Sequence, residues 1–432
     1  MFKTLSAPIQ VQWEITNWCN FKCIHCYNRW IRKKNPRKVN KSTTKLFETT
    51  VREILENKVF TVTVTGGEPL GVFGYALPYL RQLADNGIQL TLNSNLSFLT
   101  KSLAEKLRDE LGIKGVLVSL PSGDSRNNDR ITNSTKAHER TTRGIEVALK
   151  SGLKPMVNMV VTKGNLYDVF STAQYVANLG IKNFSATRAS APANCPDFSS
   201  YALSLGEFRI MLNELTRVRE ELGMQIDSLE FYPLCSFGDD QTREIFGSRM
   251  CTAGKTTCTV SPDGAVRPCS HAPQTYGNIQ NGLRDVWLLM EDWRSGAWLP
   301  EKCKTCNLKG SCSGGCKVEA FQSSGSLNGE DPYCDFSQLP VHRKKKELRL
   351  PDTTRFTVNT FLKYREEAFG GILYVSPNQW LAVETMLYRL ISKRKGGSLH
   401  LEDIAKKLSV SDEEALKTVS ALLSKGVLRE EA

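Results

Sequence analysis

The chain has 432 residues, 40% of them hydrophobic and 24% charged, and a formal net charge of +12. That length predicts two or three domains and that balance a soluble globular protein; no apolar run is long enough to span a membrane, and Met1-Phe-Lys-Thr-Leu-Ser6 lacks the basic-then-apolar build of a secretory signal. A cytoplasmic location is therefore expected, where thiols stay reduced and thirteen cysteines read as metal ligands rather than disulfides. The positive charge favours an acidic partner, an acidic peptide or a nucleic acid, with a solvated basic surface as the plain alternative.

From about residue 8 to 230, strands alternate with amphipathic helices, the pattern of a parallel α/β fold. Strands are predicted at 11–16, 60–65, 88–93, 115–120, 155–161 and 182–187, and helices at 43–57, 75–86, 100–110, 137–151, 166–179 and 205–222. In parallel barrels the chemistry gathers at the C-terminal strand ends. After the first strand comes Cys19-Asn-Phe-Lys-Cys23-Ile-His-Cys26. Three thiolates are one short of a structural zinc site, so a zinc knuckle needs a distant fourth ligand. They suit a [4Fe–4S] cube with one iron left open for a small molecule. After the second strand comes Thr65-Gly66-Gly67-Glu68-Pro69-Leu70, whose glycines let a backbone edge approach a ligand and whose Glu68 offers a carboxylate to an ammonium group. Asn93-Ser94-Asn95, Ser119 and Asn158 fall at further strand ends.

Together the triple-cysteine loop and the Gly-Gly-Glu-Pro turn resemble the radical S-adenosylmethionine (radical SAM) family. The resemblance implies a partial (β/α)6 barrel in which Cys19, Cys23 and Cys26 hold the cluster. SAM chelates the open iron, and the edge formed by Gly66, Gly67, Glu68 and Pro69 binds its amino group. Reductive cleavage then yields a 5′-deoxyadenosyl radical that abstracts hydrogen from the substrate, with electrons drawn from a reductant such as flavodoxin or ferredoxin. By the same resemblance Ser94, Asn95 and Ser119 contact the ribose and carboxylate of SAM, and His25 packs near the adenine. The trio Ser94-Asn95-Leu96 departs from the family, which usually has glycine at the third place. For each strand-end polar residue a simple capping role is the alternative.

The small, polar stretch from Thr187 to Tyr201 reads as a long loop lining the substrate entrance, and it contains Cys195. Nine cysteines then fall between Cys235 and Cys334. Their spacing, Cys251-x12-Gly264-x4-Cys269, then Cys303-x2-Cys306-x5-Cys312-x3-Cys316, then Cys334, resembles the SPASM extension of radical SAM enzymes that modify peptides and proteins. Ser261-Pro-Asp-Gly264 reads as a hairpin turn joining Thr257–Val260 to Ala265–Val266. The resemblance implies two auxiliary [4Fe–4S] clusters, three clusters in all. One would use Cys251, Cys269 and Cys316, with Cys258 the candidate fourth ligand; the other would use Cys303, Cys306, Cys312 and Cys334. Cys235 competes for a ligand place or stands as a packed thiol. Two zinc sites are the alternative for the whole field.

The basic run at 341–352 reads as a linker. Beyond it, Phe356–Tyr364 and Gly371–Val375 read as a hairpin, followed by helices at about 378–393, 401–408 and 412–425, the last opened by a Ser411-x-x-Glu414 capping box and closed at Gly426. That is a winged-helix pattern. DNA reading is disfavoured because the third helix begins Asp412-Glu-Glu414, where a recognition helix needs cationic or amide side chains. The stretch from Tyr364 to Tyr374 with these helices resembles the PqqD-like domain, which binds a leader peptide as an added strand. The expected divisions are a radical SAM core at 1–232, a SPASM domain at 233–340, the linker, and a PqqD-like domain at 353–432. The expected activity is modification of a ribosomally made precursor peptide by crosslink, thioether, epimerisation or backbone excision. Cys195 and Cys235 are candidate hydrogen donors for epimerisation. A formylglycine-type protein maturase and an iron–sulfur nucleic-acid-binding regulator are the alternatives.

Overall fold

The computed structural model describes residues 3–27, 41–191, 196–337 and 355–430. The chain divides into two compact units, Met1–Pro340 and Val341–Ala432; the predicted linker at 341–352 lies outside the described residues. None of the described helices is long and apolar enough to cross a membrane.

The first unit is built on one ten-stranded sheet. Strands β1 (Gln10–Glu14), β2 (Thr61–Thr65), β3 (Gln89–Ser94), β4 (Gly115–Ser119), β5 (Lys154–Val161), β6 (Asn183–Arg188) and β7 (Gln225–Asp227) lie side by side in chain order, all parallel. This is the sequential order of an open barrel. The six strands expected from the sequence all form; the sheet is larger than the expected six because β7 extends one edge and three strands of the second cysteine field extend the other. These are β8 (Thr257–Val260), β9 (Ala265–Arg267) and β10 (Gly277–Asn278). The predicted hairpin around Gly264 forms as β8 and β9, and β8 also pairs in parallel with β1, setting Trp13 beside Val260.

Side-chain alternation sorts the two faces of the sheet. Val11, Trp13, Val62, Val64, Leu90 and Leu92 point outward and are buried beneath the helices; the Trp13 ring, for example, meets Phe47 of helix α1 (Lys41–Glu56) at 5.1 Å. Full burial of each such side chain contributes about 1.5–3 kcal/mol. The inward face is polar. Gln10 Nε2 donates to Thr63 Oγ1 at 2.6 Å, Thr63 and Thr91 share a hydrogen bond of 2.9 Å, and the hydroxyls of Ser185 and Thr187 donate to Asn158 Oδ1 at 2.9 Å each. A barrel lined this way is not closed by an apolar core of its own, and its interior stays available for a polar ligand.

The helices follow the predicted ranges with local differences. The segment expected as one helix at 100–110 is α-helical over Lys101–Glu105 and widens to a π turn over Lys106–Glu110. A helix not foreseen, Ser125–Thr132, starts where the Asp124 carboxylate accepts from Asn127 N and stops at Asn133 in the left-handed region. It is short and mostly polar, so it carries little apolar periodicity.

The second unit holds two three-stranded antiparallel sheets. Arg355–Val358 pairs with Ser398–His400 on one side and Leu428–Glu430 on the other. Lys363–Glu367, Gly370–Ser376 and Gln379–Glu384 form the second sheet. The predicted hairpin arm at 356–364 is thus two strands in two sheets. The break is at Asn359, whose side chain accepts from Phe361 N and donates to Gly426 O, turning the chain. The helix predicted at about 378–393 is a strand as far as Glu384 and a helix only over Thr385–Ser392, because Leu373 and Leu381 pair across the sheet and join the core. The other two helices form at Leu401–Leu408 and Asp412–Ser424, the latter with both hydrogen bonds of its capping box.

Candidate active site

The triple-cysteine loop is held from two sides. Backbone N–H groups of Lys22 and Ile24, flanking Cys23, donate to the carbonyls of Thr132 and Ile131 at 2.9 and 3.0 Å. These carbonyls are among those a helix end leaves unpaired, so the unforeseen helix clamps the loop. On the other side Gly67 N donates to Thr16 O and Glu68 N to Trp18 O, at 2.6 and 2.7 Å. The two glycines serve that contact. A Cβ at Gly66 would lie 2.2 Å from Thr16 O, and one at Gly67 would lie 2.0 Å from Trp18 O. The close approach expected toward a ligand is, on this face, an approach to the strand entering the cysteine loop.

Glu68 is buried, and its carboxylate accepts from Leu70 N (3.0 Å), Ser94 Oγ (2.7 Å) and Asn95 N (2.8 Å). It joins the turn after β2 to the end of β3. Burial pushes its pKa up to about 7, partly offset by the Ser94 and backbone hydrogen bonds. Ser94 is committed to this strut: its hydroxyl donates to Glu68 and accepts from Leu96 N. The Asn95 amide donates to Asn20 Oδ1 at 3.1 Å and faces Cys19 Sγ at 3.9 Å, bracing the loop. Leu96, standing where glycine is usual, itself takes the left-handed conformation at φ 56°. That conformation costs a non-glycine residue about 1–2 kcal/mol; here the side chain is fully buried against the Gly144 turn of a neighbouring helix.

One cavity of about 400 Å³ connects these parts. Cys19, Cys23, Cys26, Gly66, Gly67 and Glu68 line one end, together with Ser94 and Asn95. His25 also lines it; burial holds its pKa at about 4, so the ring is neutral, and its Nδ1 is buried with no partner. Ser119 and Asn158 lie along the wall. An orphaned imidazole nitrogen, the Ser119 hydroxyl and three thiols around one cavity fit a nucleoside-bearing cofactor bound to a cluster.

On and behind the far wall, which includes Arg188, Glu230, Ser270 and His271, lie residues that motif reading missed. Arg267, two places before Cys269, is buried and donates from Nη2 to Glu14 Oε2 at 2.7 Å; its Nη1 donates to Ser270 O and Ala272 O. This pair fastens the Cys269 loop to the end of β1 and sets Ser270 and His271 over the cavity. Breaking a buried, hydrogen-bonded ion pair from one side typically costs about 3–5 kcal/mol. Arg267→Ala is accordingly expected to lower the unfolding free energy by an amount of that order, seen as a lower denaturant midpoint; an unchanged midpoint would remove this role. Arg188, at the C-terminal end of β6, is 1% exposed, stacks on Tyr333 at 4.1 Å and lies 3.2 Å from Glu319 and 3.6 Å from Glu230. Glu230 accepts from Ser190 Oγ at 2.7 Å, and burial pushes its pKa up to about 7 against the pull of Arg188. The strand-end rule applied to β6 would have found Arg188; Glu230 and His271 carry no sequence signal.

The second cysteine field sorts into two groups. Cys251, Cys269 and Cys316 are electrostatic neighbours; burial and then Cys251 push the Cys269 thiol up to about 11. Asp331 accepts from Cys316 N and Tyr333 N, at 2.8 and 2.9 Å, and fixes the Cys316 backbone. Cys303, Cys306, Cys312 and Cys334 line a separate small cavity, and Cys235 lines it too. Among the described residues no three such side chains are gathered tightly enough to hold a single metal ion, whereas a cubane spreads its thiolates over separate irons. Cys258 points elsewhere. It pairs with Val11, so it shares the outward, helix-facing side of the sheet, while Thr259 beside it faces inward to Gln12 at 3.3 Å. Its charged neighbour there is Arg294, and burial pushes its thiol up to about 12. The fourth-ligand role expected for Cys258 is therefore not supported by its strand position. Cys195 lies outside the described residues.

The comparisons with known proteins agree with this geometry. The Radical SAM superfamily matches residues 13–174 and the SPASM iron–sulfur cluster-binding domain matches residues 251–307. These matches define the class, a radical SAM enzyme with a SPASM extension. Among curated relatives, the AdoMet-dependent heme synthase of Methanosarcina barkeri is 27% identical over 77% of this chain and 98% of its own. The mycofactocin maturase MftC of Mycobacterium tuberculosis is 27% identical over 76% of this chain and 83% of its own; a PqqA peptide cyclase from Methylobacterium is 24% identical over 85% and 95%. In fold, the crystal structure of Streptococcus suis SuiB superposes with a TM-score of 0.60 at 22% identity, over 77% of this chain and 78% of that one.

Proposed function

We propose that this protein modifies a ribosomally made precursor peptide. The observation that carries the reading is the cavity running from the three cysteines of the β1 loop to Ser270 and His271, which follow Cys269 in the chain. A substrate there lies within reach of both the hydrogen-abstracting centre and an auxiliary cluster. Relatives that include a mycofactocin maturase and a PqqA peptide cyclase support a peptide as that substrate. When bound, SAM on a cluster held by Cys19, Cys23 and Cys26 supplies hydrogen-atom abstraction. The chain's own residues orient and screen: Glu68, Ser94 and Asn95 fix the loop, and Arg188 holds charge at the far wall. Three clusters, with Cys251, Cys269 and Cys316 in one auxiliary site, belong to this reading. So does a winged-helix, PqqD-like role for the second unit, where the outer strands of its second sheet offer an edge for an added leader strand. Electrons come from a reductant of the flavodoxin or ferredoxin kind.

The test is an intact-mass comparison after anaerobic co-expression with each short peptide encoded beside the protein. A loss of about 2 Da per event that requires Cys19, Cys23 and Cys26 is the expected signature of an oxidative crosslink. Removing residues 341–432 is expected to cut turnover of the full-length precursor by about 100-fold, through lost effective concentration, while SAM cleavage persists. If SAM is cleaved and no peptide changes, the reading fails, and a non-peptide substrate of the kind implied by the heme synthases takes its place.

Glu230 is the cavity-lining carboxyl suited to take up the proton released on oxidation. It must be ionised to do so, so turnover is expected to rise between about pH 6 and 8 with a midpoint near 7. Stability moves the other way. A carboxyl whose pKa is raised by folding contributes most below its unfolded value and loses that contribution as pH climbs through about 7. Glu230→Gln is expected to flatten both profiles; an unaltered pH–rate curve would exclude Glu230 as the acceptor.

A further inference from the structure

Five cysteines line the small cavity at the edge of the second cysteine field, and a cubane takes four. The additional one, Cys235, comes from the loop after β7, outside the Cys303–Cys316 run. It is built into the site as closely as the others. Cys235, Cys303 and Cys334 line the same cavity wall and are close electrostatic neighbours. Leu234 N, one residue earlier, donates to Cys312 Sγ at 3.3 Å. Arg209 ties the neighbouring segments together: its Nε donates to Ser236 O at 2.9 Å and its Nη2 to Asp335 Oδ2 at 2.7 Å. Backbone N–H groups directed at sulfur are the contacts that tune and steady cluster thiolates. Cys235, Cys303 and Cys312 are each 7–8% exposed, whereas Cys306 is only half-buried, with its sulfur facing Asn307 on the exposed rim.

We propose that Cys235 is a fifth thiol of this distal cluster, interchangeable with the rim ligand Cys306. The exchange is thiolate for thiolate. The iron bond to Cys306 sulfur breaks, one to Cys235 sulfur forms, and the Cys235 proton passes to the departing thiolate, with no change in electron count. The proposal rests on the reading that this cavity holds a cluster.

The test uses the full-length chain reconstituted anaerobically with iron and sulfide, read by iron content and by electron paramagnetic resonance after reduction. Cys306→Ala and Cys235→Ala are each expected to keep the wild-type iron content, and Cys306→Ala to shift the distal signal because a different sulfur now binds. The double variant leaves one iron without a thiolate and is expected to lose it, about one iron per chain, with a distal signal unlike that of either single variant, while still cleaving SAM, which shows that the loss is local. Loss of that iron in Cys306→Ala alone, or its retention with an unchanged signal in the double variant, overturns the proposal. A triple Cys303→Ala, Cys312→Ala, Cys334→Ala variant separates the two levels of failure: if it keeps all its iron, the cavity holds no cluster and the underlying reading falls with the proposal.

Discussion

Alanine at Cys19, Cys23 and Cys26 together is expected to abolish SAM cleavage, a fall of more than about 10⁶-fold, while the chain stays folded. The three thiols line the cavity but contribute little to the core: they are half-buried, and the loop that carries them is fixed by backbone bonds from Lys22, Ile24, Gly67 and Glu68. Iron content should fall by about four per chain, leaving the second cysteine field loaded. The measurement is iron analysis beside a chromatographic assay for 5′-deoxyadenosine. Retained cleavage in the triple variant would show that another set of residues holds the reactive cluster.

A comparable loss is expected from Gly67→Ala, although no ligand atom is removed. The new methyl would sit 2.0 Å from Trp18 O, a distance no carbon–oxygen contact tolerates, and the opposing atom is backbone. Either the turn or the strand leading to Cys19 must move. We expect about 3–5 kcal/mol of destabilisation and a core cluster that fails to load. Glu68→Gln refines the argument at constant size. Its amide would direct N–H toward groups that now donate to the carboxylate, and each donor left unsatisfied costs about 1–3 kcal/mol. The order of effects, Gly67→Ala above Glu68→Gln in lost iron and both leaving the distal cluster intact, is the result to look for. A fully loaded, active Gly67→Ala protein would mean that the turn and the cysteine loop separate at no cost.

Much of the barrel was legible because its strands and helices repeat in simple periods. Val11, Trp13, Val62 and Val64 alternate with polar partners, and the amphipathic helices between the strands are long. What escaped was of two kinds. Helix Ser125–Thr132 is held by capping and by its contact with the cysteine loop, so no apolar stripe announces it. Arg267, Glu14, Glu230 and His271 meet only after the chain has closed on itself, and a pairing across 253 residues leaves no local mark. The cysteine motifs named the residues around each cavity, but not their orientation. Cys258 has suitable spacing, yet strand alternation turns it away; Cys235 has no suitable spacing, yet the fold brings it in. In the second unit, Asn359 reads as one more polar residue in an extended run until its side chain is seen to end the strand.

The insertion of β8 beside β1 has a consequence for how the chain is made. Gln12 and Thr259 touch across 247 residues, so β1 emerges from the ribosome long before its second neighbour exists. During that interval β1 is an exposed sheet edge carrying the cysteine loop at its end. Its closure waits on a contact of very high sequence separation, the kind that forms slowly and leaves intermediates prone to aggregation. Vectorial synthesis therefore gives Cys19, Cys23 and Cys26 a window in which they stand at an open margin before Arg267 reaches Glu14 and locks the sheet.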